Sequence, residues 1–439
     1  MRRIIDVSSL SREFRFIILF MLVLSFYGCG VWHNVQEKVL PIASRPEEKI
    51  ERNEFSGPKG DDVIGQLAVV RLKKGDTLPD VARHFGLGIN EINAANPGVD
   101  VWVPNDGELI MLPLSFILPD APRKGIVINL AAMRLFQYKE DAKSLVVSTY
   151  PVGIGSEGRP TPIGQMYVER KVVRPTWHVP ASILKDHKKK GDPLPATVPP
   201  GPKNPLGEYA LYLNKSKYVI HGTNKPSSIG LKATNGCIRL YPEDIRRLYE
   251  GTKIKTPVHI VNQPYLVGQH DGVVYIEVHS TIDDVDAVEL KKMYAKLKTI
   301  EKKSGRKLDW KKVHETLAEG RGVPVPVFEL QQGSYRGSAK TIEVKHPGEL
   351  YGKPRIPKLT TDGWYVLAAE VRDETHASRL AAMINHQGPP IPARVIPKGD
   401  RYRVIAGPFN NSGEAKEAAR RLKVDLQIEA LLIEPTRKR

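Results

Sequence analysis

Between residues 124 and 262 helical periods are few, and short β-rich runs alternate with stiff loops. Residues 126–130, 134–138 and 144–150 are dense in β-branched, aromatic and long apolar side chains. Runs of this kind, bounded by Pro and Gly, specify strands. Residues 159–164 and 192–206 are rich in Pro and Gly. Long irregular loops on a β scaffold are where binding clefts are built. A mostly-β domain with a loop-borne cleft is expected here, ending in a strand through Val258 and Val261.

The same stretch holds Cys237, one of two cysteines in 439 residues. The other, Cys29, follows Arg2, Arg3, Arg12 and Arg15, an apolar run over 16–26, and Gly28. A basic start, a short apolar run and a small residue before cysteine make a secretion signal. The run is too short for a membrane span, which takes about 20 apolar residues. It resembles the leader of bacterial lipoprotein precursors, which implies lipidation at Cys29. Phe26 and Tyr27 are bulkier than that family's usual residues, so a cleaved signal or an uncleaved anchor stays open. With Cys29 so used, Cys237 has no internal partner in an oxidising compartment. It is either a small buried apolar residue or a reactive thiol.

The rest of the chain divides by composition. Residues 30–65 are polar and read as a tether. Residues 66–113 read as strand, helix, helix, strand, with Asp76 or Thr77 capping the first helix and Pro79 in its first turn. Residues 114–123 are expected to be a hinge. Residues 263–334 combine a strand at 273–278 with a helix through Leu290, Met293, Leu297 and Ile300, its lysines on a solvated face, and a second helix from Asp309. Residues 335–360 read as a linker. Residues 361–437 repeat strand–helix–strand twice, an α+β (βαββαβ) unit.

Net charge is +17. Such a chain suits anionic polymers or membrane surfaces. No zinc knuckle, phosphate-binding glycine loop or RNA-binding aromatic motif accompanies the charge, so nucleic acid is not expected. No His, Cys, Asp or Glu groups have metal-ligand spacing, so neither metal nor cofactor is expected.

Three stretches resemble known families. KKGDTLPDVARHFGL, INEINAANPG and ELIMLP within 66–113 resemble a LysM domain, which implies binding of N-acetylglucosamine-containing glycans. YRVIAGPF within 361–437 resembles a SPOR domain, which implies binding of peptidoglycan stripped of stem peptides, at the division site. HGTNKPSSIGLKATNGCIRL, with RPTPIG, PTWHVPASI and NPLGEYALYL upstream, resembles the L,D-transpeptidase (YkuD-type) catalytic domain over 124–262, a β-sandwich-like scaffold. That resemblance implies Cys237 as the nucleophile on a tetrapeptide stem, releasing D-Ala to form a thioester that an amine resolves. It implies His221 as the base, oriented by a carbonyl such as that of Gly222. Gly222, Thr234, Asn235, Gly236 and Arg239 are then expected around substrate and oxyanion, Arg239 ordering the loop or pairing with a substrate carboxylate, and Gly236 leaving the backbone open so that N–H groups around Cys237 face the substrate. Asn235 stands where the family usually has a second histidine, and unlike histidine it cannot titrate. His178 is a candidate for the cleft wall, for packing or for solvent, and His259 for the core. The expected setting is the periplasm, lipid-anchored to a membrane and enriched at the septum. The acceptor is a stem-peptide amine, a lipoprotein lysine, or water in the hydrolytic alternative. A non-catalytic wall tether is the competing reading.

Overall fold

The computed structural model describes residues 53–436, apart from 140, 142–143, 190, 216–217, 280–285 and 329–340. Cys29 lies outside the described residues. The scaffold is a nine-stranded sheet. Its strands run in the order Glu54–Gly57, Leu145–Pro151, Arg134–Lys139, Gly125–Asn129, Pro257–Val261, Gly164–Val173, Tyr209–Leu213, Val219–His221 and Ile238–Arg239. Two neighbouring pairs are parallel, Pro257–Val261 with Gly125–Asn129 and Val219–His221 with Ile238–Arg239. Successive strand residues face opposite sides, and here both sides are apolar. Val127, Phe136, Tyr138, Leu145 and Val147 enter one core. Ile126, Ile128, Leu135, Tyr150 and Val152 enter the other. The helix Pro242–Gly251 closes the second core with Ile245 and Leu248. Each such side chain contributes about 1.5–3 kcal/mol by leaving water.

The first core is shared. Strands Ala68–Arg71 and Leu109–Leu112 pair antiparallel, with helices Leu78–Phe85 and Ile89–Ala95 between them. Thr77 caps the first helix by accepting the Asp80 N–H, and Gly86 ends it in the left-handed conformation. Val70, Leu78, Val81, Phe85, Ile92 and Leu112 pack into the same cluster as Val127 and Phe136 of the large sheet.

That shared core corrects three sequence expectations. The tether ends before residue 54, because Glu54–Gly57 extends the large sheet and Phe55 is buried. The hinge at 114–123 is instead a packed junction. Ser115–Ile117 pairs with Val63–Gly65, and Leu114, Phe116, Ile117 and Leu118 are buried. The prolines bracket an apolar run, and burial of that run outweighs the mobility that proline suggests. In the described part of the expected linker, Ile342–Val344 pairs with Ala68–Arg71, Leu350 enters the core, and His346 and Lys353 bind Asp76.

Tyr265–His270, Val273–Val278 and Val325–Pro326 form a small sheet. The helices Ala287–Ser304 and Trp310–Glu319 bury Met293, Leu297 and Val313 against it. Asp286 and Asp309 cap them. Among the described residues no helix is long and apolar enough to cross a membrane.

The C-terminal unit is a four-stranded sheet, ordered Ala393–Lys398, Arg401–Phe409, Trp364–Val371, Leu431–Ile433. The helices Glu374–Asn385 and Ser412–Leu426 pack on it around a core of its own. The chain after the first of these helices lies against the other units. His386 Nε2 is 3.1 Å from Asp80 Oδ1, and its ring lies against Trp102. The His386 carbonyl accepts from Ser227 Oγ at 2.9 Å, and Gln387 Oε1 accepts from Lys225 Nζ at 3.0 Å. Lys225 and Ser227 belong to the loop between His221 and Cys237, so that loop is held from outside as well.

Candidate active site

The register of three strands sets Arg239 opposite His221, with Cys237 just ahead of the paired strand and hydrogen-bonded to the Val219 backbone. Ala210 pairs with His221, Ile220 with Ile238, and His221 with Arg239. Ile220 and Ile238 point into the core. Alternation then sends His221, Arg239 and Cys237 to the opposite face. Cys237 is half-buried and free of any disulfide. His221 is 3% exposed.

The imidazole is oriented by its own strand. His221 Nδ1 donates to the Gly222 carbonyl at 2.6 Å. A neutral ring has one N–H, so Nε2 carries the lone pair, a tautomer assigned from the partner. Burial, and then the Arg239 charge, push the imidazole down to about 3, against the pull of the Gly222 and Leu206 backbone groups. Burial also pushes the Cys237 thiol up, opposed by a hydrogen bond from the Val219 backbone and by Arg239. The resting site is therefore a neutral thiol beside a neutral imidazole. Arg239 is itself lowered by burial and raised by Cys237, and its Nε has no hydrogen-bond partner among the described residues. Its charge favours a thiolate and disfavours an imidazolium.

These shifts set two pH dependences. Between pH 6.5 and about 3 an unfolded chain protonates this imidazole while the folded chain does not. The unfolded state then holds more protons, so stability rises with pH through that window and is lost as pH falls. Urea unfolding at pH 7 and pH 4.5 is expected to show a smaller pH effect in His221→Asn than in the parent. Equal effects in both would count against a buried neutral ring. Labelling of Cys237 by a neutral thiol reagent is expected to climb past pH 9, because the thiol lies above its ordinary value; a plateau below pH 7 would contradict this.

The loop ahead of the cysteine is tied at several points. Thr234 Oγ1 donates to the Cys237 carbonyl at 2.7 Å and accepts the Gly236 N–H at 3.1 Å. Thr161 Oγ1 accepts the Gly155 N–H at 2.9 Å and donates to the Gly236 carbonyl at 3.1 Å. Gly236 has φ +97°, and a Cβ there would lie 3.0 Å from the Tyr218 ring. Only glycine suits such a turn.

The sequence-expected residues divide on this geometry. His221 bonds the Gly222 carbonyl and pairs with Arg239, and the Arg239 charge acts on both His221 and Cys237. Thr234 braces the loop. Of the N–H groups expected to be open around Cys237, that of Gly236 is not, because the turn points it inward to donate to Thr234. Asn235 is exposed, and its Oδ1 accepts from Arg159 Nη1. His178 is exposed, and His259 is a partly exposed strand residue rather than a core one. Sequence reading missed Arg159 and Thr161 as site residues. RPTPIG marked their loop as stiff, but nothing local says where a stiff loop docks.

Comparison with known proteins agrees with the geometry. A family model described as the L,D-transpeptidase catalytic domain matches residues 123–260, and one described as the SPOR domain matches residues 360–434. The chain is 40% identical over 232 residues to the probable L,D-transpeptidase YbiS of Escherichia coli K12, covering 52% of this chain and 75% of that protein. It is 41% identical over 229 residues to the probable L,D-transpeptidase ErfK/SrfK of the same strain, covering 51% and 73%. With the protein of that name from Salmonella typhimurium LT2 it shares 37% over 286 residues, covering 63% and 91%.

Proposed function

The chain belongs to the L,D-transpeptidase family, and from that membership we propose that Cys237 and His221 carry out its peptidoglycan L,D-transpeptidase reaction. The observation that carries the residue assignment is the His221 Nδ1 bond to Gly222, which aims a lone pair from the strand beside Cys237. His221 Nε2 takes the thiol proton as sulfur attacks the carbonyl of the amide that joins D-Ala to the stem. The C–N bond breaks, the proton passes to the departing amine of D-Ala, and a thioester remains. An acceptor amine attacks it, gives its proton to Nε2, and the thiol is restored as the new amide forms. Arg239 stabilises the sulfur anion along the way.

The acceptor is an amine of a second stem peptide or a lipoprotein lysine; water on the same thioester gives hydrolysis. Incubation with a tetrapeptide stem, with and without an added amine, separates these outcomes. A thioester adduct on Cys237 that yields an amide product with the amine is expected. No adduct on Cys237 would sink the assignment and favour a non-catalytic wall tether.

The flanking units fit a wall-bound enzyme. The SPOR unit is proposed to hold glycan and to concentrate the protein at the septum. The βααβ unit at 66–113 is proposed to act as a LysM-type glycan contact, on the strength of its element order and sequence resemblance. Cys29 is proposed to be lipidated, holding the protein in the periplasm. A chain ending at residue 359 is expected to keep acylation while losing several-fold in co-sedimentation with sacculi. Unchanged sedimentation would remove the targeting role.

A further inference from the structure

Arg159 lies in the loop after the short strand Ile154–Gly155, which is bound to the segment ahead of Cys237. The Ser156 N–H donates to the Thr234 carbonyl at 2.9 Å, and Thr161 Oγ1 holds the Gly236 carbonyl. The guanidinium spans two groups. Nη1 donates to Asn235 Oδ1, two residues from the nucleophile, and Nη2 donates to Asp186 Oδ2 at 2.5 Å. The two ion-pair side chains are 35% and 43% exposed. Asp186 sits on the helix Ala181–Lys189, none of whose residues is buried.

An arginine fork is the geometric complement of a carboxylate. Here one arm is already filled by a carboxylate of the protein, through an exposed pair of a kind that is weak and exchangeable. The other arm is filled by an amide oxygen that accepts at any pH. A protonated imidazole at position 235 would repel the guanidinium. Asn235 instead accepts from it. We propose that Arg159 is a specificity-determining residue that binds a carboxylate of the donor stem peptide, and that Asp186 competes with that carboxylate for one arm of the guanidinium. This rests on the transpeptidase reading and deepens it.

Three donors test it: a tetrapeptide stem with free carboxylates, the same peptide ending in a carboxamide, and one with the third residue's side-chain carboxylate amidated. Thioester formation on Cys237 is followed by mass, and KM and kcat are separated. The parent protein is expected to lose about tenfold or more in kcat/KM, through KM, with one amidated donor. Loss with the carboxamide places the carboxylate on the leaving D-Ala, and loss with the other places it on the stem. Arg159→Gln is expected to erase the discrimination with little change in kcat, and to leave labelling of Cys237 by a neutral thiol reagent unchanged. Arg159→Lys should restore part of the discrimination, and Asp186→Asn should lower KM for the free-acid donor. Equal loss with all three donors in Arg159→Gln, or discrimination that survives it, would overturn the proposal. If the parent protein forms no thioester with any donor, the transpeptidase reading fails and this proposal with it.

Discussion

Cys237→Ala is expected to abolish acylation by a stem peptide or a carbapenem, lowering turnover by at least about a thousandfold. The size follows from the mechanism. In the proposed mechanism sulfur forms the only covalent bond to the acyl group, and its loss leaves His221 without a proton to move. Stability should change little, since the half-buried thiol fills little core volume. His221→Gln separates the base from the nucleophile. It keeps a side-chain donor that can reach the Gly222 carbonyl but has no titrating nitrogen, so Cys237 should remain labelled by small thiol reagents while peptide acylation falls by about a hundredfold or more. Acylation by stem peptide that persists in Cys237→Ala, read by intact mass, would remove Cys237 from the chemistry altogether.

The second large effect concerns stability. Arg134 is fully buried, with Nε 2.6 Å from Glu91 Oε1 and Nη2 2.8 Å from Glu91 Oε2. Nη2 also reaches the Gly86 carbonyl, Nη1 reaches Thr149 Oγ1, and the guanidinium lies over the Phe116 ring. Arg134 belongs to the large sheet, and Glu91 to the helix Ile89–Ala95 of the βααβ unit. Removing one partner of such a pair leaves a buried uncompensated charge and costs about 3–5 kcal/mol. Arg134→Ala is therefore expected to lower the urea midpoint strongly. Glu91→Gln combined with Arg134→Met should recover part of the loss, with a coupling of about 1–3 kcal/mol. Because both units share one core, they should unfold together. Two separated transitions, with the βααβ unit melting first and the acylation site surviving, would contradict a shared core.

Both results bear on how far the chain is readable without its fold. Strand and helix positions were legible wherever a local rule decides them. Thr77 with Pro79 starts a helix, Asp309 caps another, and Leu290, Met293 and Leu297 keep helical spacing. The residues proposed as nucleophile and base stand out in the sequence through the motif around His221 and Cys237. The expected bounds of the catalytic and C-terminal units, 124–262 and 361–437, fall within three residues of the matched spans 123–260 and 360–434, but the joints between units were not legible. Prolines near 114–123 and the polar stretch before residue 66 suggested mobile joints, yet the intervening apolar residues are buried in a core contributed by distant strands.

What the sequence determined by itself is the chemistry available: one thiol near a histidine on β-rich runs, with a glycine just before it. Only the tertiary structure decided how those groups are tuned. The register between Val219–His221 and Ile238–Arg239 puts His221, Arg239 and Cys237 on one face, and burial there holds both reacting groups neutral. It also decided that the Gly236 N–H turns inward and that Arg159 reaches Asn235. The physical reason is range. Helix starts, caps and turns depend on residues a few positions apart, whereas desolvation and cross-strand pairing depend on which distant segments pack together.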